Sequence, residues 1–266
     1  MTPQEHNKRA WDAMVRDKQR FTLPAKDEDY SDPLARVDHV GWLGGDIRGR
    51  RLLCLAAGGG KHGPLYAQVG AEVTVVDISP AMLELDREVA AERGLRLRTV
   101  EASMDALSMF QPGEFEIVIH PVSTCYVPEI APVYREVARI MSPGGIYISQ
   151  HKTPTSLQAE QTPGARGYEL SEMYYRSGPL PPVHGSRLRE EGTLEFLHRW
   201  EEIFGHLCRS GFVIEDVLEP HHADFRAESG TFGHRCRYIA PYIRIKARRT
   251  EQAAFPTAGS RLIIPD

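Results

Sequence analysis

A glycine cluster set directly behind an apolar run constrains this chain more than any other feature. Residues 51–57 read RLLCLAA, and GGGKHG follows from Gly58 to Gly63. An apolar run of this length that is closed at once by glycines reads as a buried strand ending in a tight turn. Residues 63–70 then read as a helix. The next run, EVTVVD over 72–77, is β-branched and stops on a carboxylate, which marks a second strand. Ser79 and Pro80 open a second helix as N-cap and first helical residue. That helix runs to about Arg93 and stops at Gly94.

The alternation continues. Residues 96–100 form a third expected strand and FEIVIH over 115–120 a fourth. Ile130, Val133, Val137 and Ile140 recur at helical spacing. Pro143-Gly144-Gly145 makes a turn into a fifth strand over 146–150. Strands alternating with helices mean βαβ units and a parallel sheet covered on both faces. Right-handed crossovers make that sheet doubly wound, with ligands bound outside the carboxyl ends of its strands.

Beyond residue 151 the pattern changes. Residues 152–193 are rich in Pro, Gly and polar residues and carry Tyr168, Tyr174 and Tyr175. A connection of that length reads as a lid or binding element. Residues 194–210 have the spacing of an amphipathic helix, with Phe196, Leu197, Trp200, Ile203, Phe204 and Leu207 on one face. Residues 212–218 read as a sixth strand and 238–247 as a seventh, weakened at its start by Pro241. The expected organisation is one domain over 1–248 and a tail over 249–266. Within the domain, 1–45 form an N-terminal helical cap, 50–151 the cofactor-binding core and 152–193 the substrate lid.

Charge and cysteine usage narrow the function classes. The 36 acidic residues outnumber the 32 basic ones, so there is no cationic excess for polymeric nucleic acid. No apolar run reaches the roughly 18–20 residues of a membrane span, and the N-terminal segment has no apolar signal-peptide centre. Cys54, Cys125, Cys208 and Cys236 show no CxxC spacing. The expectation is therefore no metal site and no disulfide framework, with free thiols in a cytoplasmic protein.

Gly58, Gly60 and Gly63 make a G-x-G-x-x-G pattern, and Asp77 follows Gly58 by 19 positions. Glycines let the backbone approach an adenosine-containing cofactor, and an acid at that distance accepts hydrogen bonds from ribose hydroxyls. The same residues also fit a turn that only needs positive φ, with Asp77 capping the next helix. The pattern alone does not separate a nicotinamide cofactor from S-adenosylmethionine.

Further segments do separate them: EASMDAL over 101–107, IMSPGG over 140–145, and GFVIEDV over 211–217 followed by YIRIKA over 242–247. With these the sequence resembles the class I S-adenosylmethionine-dependent methyltransferases, by motif over about 50–150 and by order of elements over 194–247. The resemblance implies an α/β fold, a doubly wound seven-stranded Rossmann-like sheet that is mostly parallel with an antiparallel last strand. It implies that Ala57, Gly58, Gly59 and Gly60 cradle the methionine part of the cofactor and that Asp77 holds the ribose. Ile78 and Met82 would flank the adenine, with Ser103 and Met104 touching it. Many members carry Asp where Ser103 stands, so Asp105 or a backbone amide would supply the adenine hydrogen bond. His120 would lie near the methionine end.

Methyl transfer from a sulfonium is an in-line displacement. It needs a nucleophile held roughly 3 Å from the methyl carbon with water excluded, and a base only if that nucleophile must lose a proton. His120 ranks first as base or orienting group, with packing against the cofactor as the alternative. Tyr126, His151, Trp11 and Tyr175 are candidates for the substrate pocket. Phe21 and Tyr30 accompany Trp11 in the N-terminal cap. Cys125 reads as a buried thiol and His221-His222 as a polar turn. HPVS over 120–123 stands where enzymes that methylate the exocyclic amines of nucleic-acid bases usually carry (Asp/Asn/Ser)-Pro-Pro-(Tyr/Phe). The paired glutamates of arginine methyltransferases are also missing there. The expected acceptor is a small molecule, with neither nucleic acid nor membrane as partner. Two other classes remain open. One is an NAD(P)-dependent oxidoreductase, which would need a hydride-transfer site such as a Tyr-x-x-x-Lys pair that we do not expect. The other is a binding protein without turnover.

Overall fold

The computed structural model describes residues 1–251. Its centre is a seven-stranded sheet in the order β3-β2-β1-β4-β5-β7-β6. The strands are β1 (Arg51–Leu55), β2 (Glu72–Asp77), β3 (Leu97–Glu101), β4 (Phe115–His120), β5 (Met141–Lys152), β6 (Phe212–Leu218) and β7 (Tyr242–Arg249). β3, β2, β1, β4 and β5 pair in parallel, and β7 runs antiparallel to both β5 and β6. The expected doubly wound, mostly parallel sheet with an antiparallel last strand is the observed one. The strand order reverses beside β1, so the crevice of the fold opens at its carboxyl end.

Side-chain alternation along β1 builds both cores. Leu53 and Leu55 face one side with Val118, Tyr147 and Ile245. Helix α5 (Ala131–Ile140) covers that side through Tyr134 and Val137, and α7 (His206–Arg209) through Leu207. Leu52 and Cys54 face the other side, under Tyr66 of α3 (His62–Gln68) and Leu83 of α4 (Pro80–Glu92). Ser79 caps α4 as expected, its Oγ accepting from the Met82 amide at 3.1 Å. At the N-terminus, α1 (Pro3–Arg16) starts with a capping box between Thr2 and Glu5. The short α2 (Pro33–Val37) follows it. The insertion carries α6 (Pro154–Gln158), and α8 (Phe232–Arg235) precedes β7.

Three elements differ from the sequence reading. Residues 194–199 are irregular rather than helical, because backbone groups there find partners elsewhere. The Leu194 amide donates to Asn7 Oδ1 at 2.7 Å, and the Phe196 amide to the Cys125 carbonyl at 2.7 Å. The helical path begins only at Trp200, as a π-helical turn over Glu201–Gly205 that runs into α7. Phe196, Leu197, Ile203 and Leu207 are buried all the same. The amphipathic spacing foretold burial without fixing the conformation. β7 starts at Tyr242 rather than at 238, since Pro241 has no N–H for the ladder and its carbonyl accepts from Thr153 instead. β5 begins earlier than expected, at Met141, with a register shift opposite Phe115 and Ile117. Most of the expected tail, 252–266, lies outside the described residues.

Gly63 shows how tightly α3 lies on the sheet. A Cβ there would stand 2.5 Å from Val75 Cγ2 and 3.1 Å from Asp86 Oδ1. Gly63→Ala should therefore destabilise the fold by about 1–3 kcal/mol. In urea denaturation the midpoint falls while the slope stays unchanged. A wild-type midpoint would show that this contact has slack.

Candidate functional site

The loop after β1 is held open by two buried carboxylates. Ala56 has φ +48°, a left-handed conformation that side chains disfavour. Gly59 and Gly60 follow at φ +112° and +69°. The Gly58 amide donates to Asp77 Oδ2 at 3.0 Å and the Gly59 amide to Asp86 Oδ2 at 2.9 Å. Asp77 Oδ1 accepts from the Ser79 amide at 2.9 Å. A Cβ on Gly58 would lie 2.8 Å from Met82 Cβ and 3.1 Å from Asp77, so only glycine permits this approach. Burial pushes the Asp77 carboxyl up to about 6 and that of Asp86 to about 7, against the pull of the amides they accept.

Above this loop opens a cavity of about 450 Å³. One end is lined by Ala57, Gly58, Asp77, Ile78, Met82, Ser103 and Met104. Gln4, Asn7 and Trp11 of α1 line it as well. Side-chain bonds along its length pin that helix. Asn7 Nδ2 donates to the carbonyls of Tyr126 and Leu194, both at 3.0 Å, and Ser79 Oγ donates to Asp12 Oδ1 at 2.6 Å. Tyr126, Lys152, Glu190, His222, Phe232 and Tyr242 also line the cavity.

Tyr126, Lys152 and Glu190 form a buried polar set. Lys152 Nζ, in a side chain only 3% exposed, donates to Glu190 Oε2 at 2.7 Å and to Glu195 Oε1 at 2.8 Å. The Tyr126 hydroxyl donates to the same Glu190 oxygen. Burial pulls the lysine down, but the two carboxylates overcome it and hold its pKa above the usual range. Burial raises the Glu190 carboxyl, with Lys152 opposing and Glu195 adding to the rise. Burial also acts to raise Glu195, yet Lys152 and Arg189 hold it below the ordinary range.

The residues singled out in the sequence divide into two groups. Ala57, Gly58, Asp77, Ile78, Met82, Ser103, Met104, Trp11 and Tyr126 all line the one cavity. Trp11 meets Tyr126 edge to face at 5.6 Å. Gly59 and Gly60 do not line it. Asp105 stands behind the wall, accepting from Ser103 Oγ and from Gln4 Nε2. His120 is not brought to this cavity. Its parity on β4 is that of Val118, which turns its side chain into the core under α5. There it is 1% exposed, with Nδ1 bonded to the Tyr147 hydroxyl at 2.8 Å and no partner for Nε2 among the described residues. Burial pushes its pKa down to about 3, so the ring is neutral. His120 borders instead a second cavity of about 330 Å³.

His151 is equally enclosed, its two nitrogens taken by Thr124 Oγ1 at 2.8 Å and Ser149 Oγ at 2.9 Å. Tyr175 is 79% exposed and lies against Arg199 away from the cavity. Cys125 is buried, and burial pushes its thiol far up. His222 sits between the rings of Phe232 and Tyr242. One sequence expectation needs correcting, because Tyr242 and Lys246 do have Tyr-x-x-x-Lys spacing. They lie on a strand, where four residues span roughly 13 Å, too far for a working pair.

Lys152, Glu190, Tyr242 and Arg244 were missed in the sequence. Alternation in YIRIKA carried a signal for two of them, since Ile243 and Ile245 are buried and Tyr242 and Arg244 share the other face. Glu190 carried none.

Comparison with known proteins points one way. The Methyltransf_11 methyltransferase-domain family matches residues 53–149. An uncharacterized methyltransferase of Bacillus subtilis, YbaJ, is 33% identical over 229 residues, covering 80% of this chain and 89% of that one. The ubiquinone biosynthesis O-methyltransferase of Bordetella avium is 31% identical over 110 residues, 41% of this chain and 46% of that one. Among solved structures, the magnesium protoporphyrin IX methyltransferase of Synechocystis with bound S-adenosylhomocysteine (SAH) superposes with a TM-score of 0.58. Its identity is 16%, covering 94% of this chain and all of that one.

Asp86 gives the loop a pH signature. Its folded pKa of about 7 lies well above the ordinary aspartate value. The stability it contributes is therefore complete below about pH 4 and is lost as pH rises through 7. Asp86→Asn keeps the acceptor oxygen and removes the titration. Relative to wild type, the variant should gain about 1 kcal/mol per pH unit between pH 5 and 7 and level off by pH 8. Urea denaturation across that range measures it, and a constant gap would contradict the raised pKa.

Proposed function

The chain belongs to the class I S-adenosylmethionine-dependent methyltransferases, and on that premise we propose that it methylates a small-molecule acceptor held in the Tyr126–Lys152–Glu190 part of the main cavity. The observation that carries this reading is one cavity lined both by the glycine loop with Asp77 and by a buried acid–phenol–ammonium set. The cavity of about 450 Å³ includes the glycine-loop end, and the remainder beside Tyr126, Lys152 and Glu190 suits a compact organic acceptor. The Bordetella relative is by name an O-methyltransferase of ubiquinone biosynthesis, which favours the same class. No described helix is long and apolar enough to cross a membrane.

The residues present fit the cofactor. Asp77 Oδ1 and Oδ2 each accept a backbone amide and each keep acceptor capacity. Two such oxygens on a cavity wall suit a vicinal diol, as in a ribose. Ile78, Met82 and Met104 offer apolar walls for an adenine, with Ser103 at its edge. The cofactor, when bound, supplies a methyl group on a sulfonium. The chain's own part is to position the acceptor and exclude water. Trp11 and the pinned α1 close over the site, and Tyr126 orients the acceptor. Glu190 takes the proton that a hydroxyl or amine acceptor releases, and Lys152 opposes the rise that burial imposes on that carboxylate. His120, neutral and enclosed, has no part in this reading.

Calorimetry with S-adenosylmethionine, SAH, NAD and NADP tests the cofactor half, and only the two sulfur compounds should bind. Asp77→Ala should weaken SAH by about tenfold or more, the loss of charge-assisted hydrogen bonds. Wild-type affinity in that variant would remove Asp77 from the ribose site. A screen of small acceptors for products heavier by one methylene tests the transfer. With an acceptor in hand, Glu190→Gln should lower kcat by about a hundredfold, as loss of a general base does, with cofactor affinity unchanged. An unaltered kcat would remove Glu190 from proton transfer.

A further inference from the structure

The two cavities share a wall made by Lys61, His62, Pro121, Gln150 and Arg244. No acid belongs to that wall. Arg244 is half-buried, its Nε donating to Gln150 Oε1 at 2.7 Å and one terminal nitrogen contacting His39 Nε2 at 3.4 Å. Neither partner is an acid, and among the described residues no carboxylate pairs with Arg244 or with Lys61. The nearby acids are engaged elsewhere. Asp77 holds Gly58 and Ser79, Glu190 holds Lys152 and Tyr126, and Asp38 holds the amides of Trp42 and Leu43. His62, pushed down to about 4 by burial and then by Lys61 and Arg244, adds no third charge at neutral pH. A guanidinium taken partly out of water without a counter-charge is costly, and its planar fork matches a carboxylate or phosphate.

We propose that the junction of the two cavities, formed by Arg244 with Lys61, is an anion subsite that holds a carboxylate or phosphate of the methyl acceptor. The inference rests on the acceptor occupying the main cavity. The anion falls to the acceptor because Arg244 shares one side of β7 with Tyr242, which lines the cavity beside Lys152 and Glu190, while Lys61 reaches the junction from the end of the glycine loop. Arg244 lies on β7, and β4 and β5 separate that strand from β1 and its glycine loop. The rest of the acceptor would be an apolar or aromatic body, since Trp11, Phe232 and Tyr242 line the same cavity.

The test uses SAH-saturated protein titrated with phenyl phosphate, benzoate and the neutral benzyl alcohol, followed by ligand-observed NMR. Both anions should bind, and benzyl alcohol should bind about tenfold more weakly. Arg244→Gln and, independently, Lys61→Gln should each weaken the anions several-fold, while Arg244→Lys retains most of the binding. SAH and 5′-methylthioadenosine affinities should stay at wild type in both Arg244 variants, which also certifies their fold. Absent anion binding, equal binding of benzyl alcohol, or indifference to Arg244→Gln would overturn the proposal. So would an Arg244→Gln variant that weakens SAH but spares 5′-methylthioadenosine, because that guanidinium would then hold the cofactor's carboxylate. Wild-type protein that binds no SAH would instead bring down the cofactor reading itself.

Discussion

Two buried carboxylates gripping consecutive glycine amides organise this molecule. Asp77 ends β2 and Asp86 sits one helical turn and a half into α4, yet both reach back to the loop that leaves β1. Each is desolvated and raised toward neutrality, and each offsets that penalty with backbone N–H donors. The arrangement works only because Gly58 lets Met82 and Asp77 come within contact and because Gly59 and Gly60 take positive φ. Loop, strand end and helix start are thereby fixed as one piece. The cavity above them inherits its shape from that piece.

From this anchor the rest follows by topology. The reversal of strand order beside β1 opens the crevice. β5 and β7, paired antiparallel, extend the floor away from the glycine loop and carry Gln150, Lys152, Tyr242 and Arg244. The long connection after β5 returns to lay Glu190 against Lys152, across a sequence separation of 38 residues. The fold thus brings Asp77 with the apolar residues of the glycine-loop end and the Tyr126–Lys152–Glu190 set onto one cavity.

The part of the site near β1 was legible because its signal is local. Strand, glycines, Asp77 and the Ser79-Pro80 cap lie within thirty consecutive residues and obey backbone rules that tertiary packing does not override. His120 misled for a reason equally local. A histidine ending a strand at the right edge of the sheet looks catalytic, but one step of pleat parity decides whether it meets ligand or core. His151 failed by the same parity. Residues 194–199 had helical spacing yet form no helix, since Asn7 and Cys125 offered backbone partners from distant segments. Lys152 and Glu190 were invisible because nothing in either neighbourhood records the other. Long-range pairs of this kind are where a single sequence carries least information.

A crystal structure of the protein with S-adenosylhomocysteine tests the central claim most directly. The account predicts the ribose hydroxyls on the Asp77 carboxylate and the adenine between Ile78, Met82 and Met104. It also predicts the sulfur facing Tyr126 and Glu190. A nucleoside seated in the second cavity, or a ribose with no contact to Asp77, would contradict it.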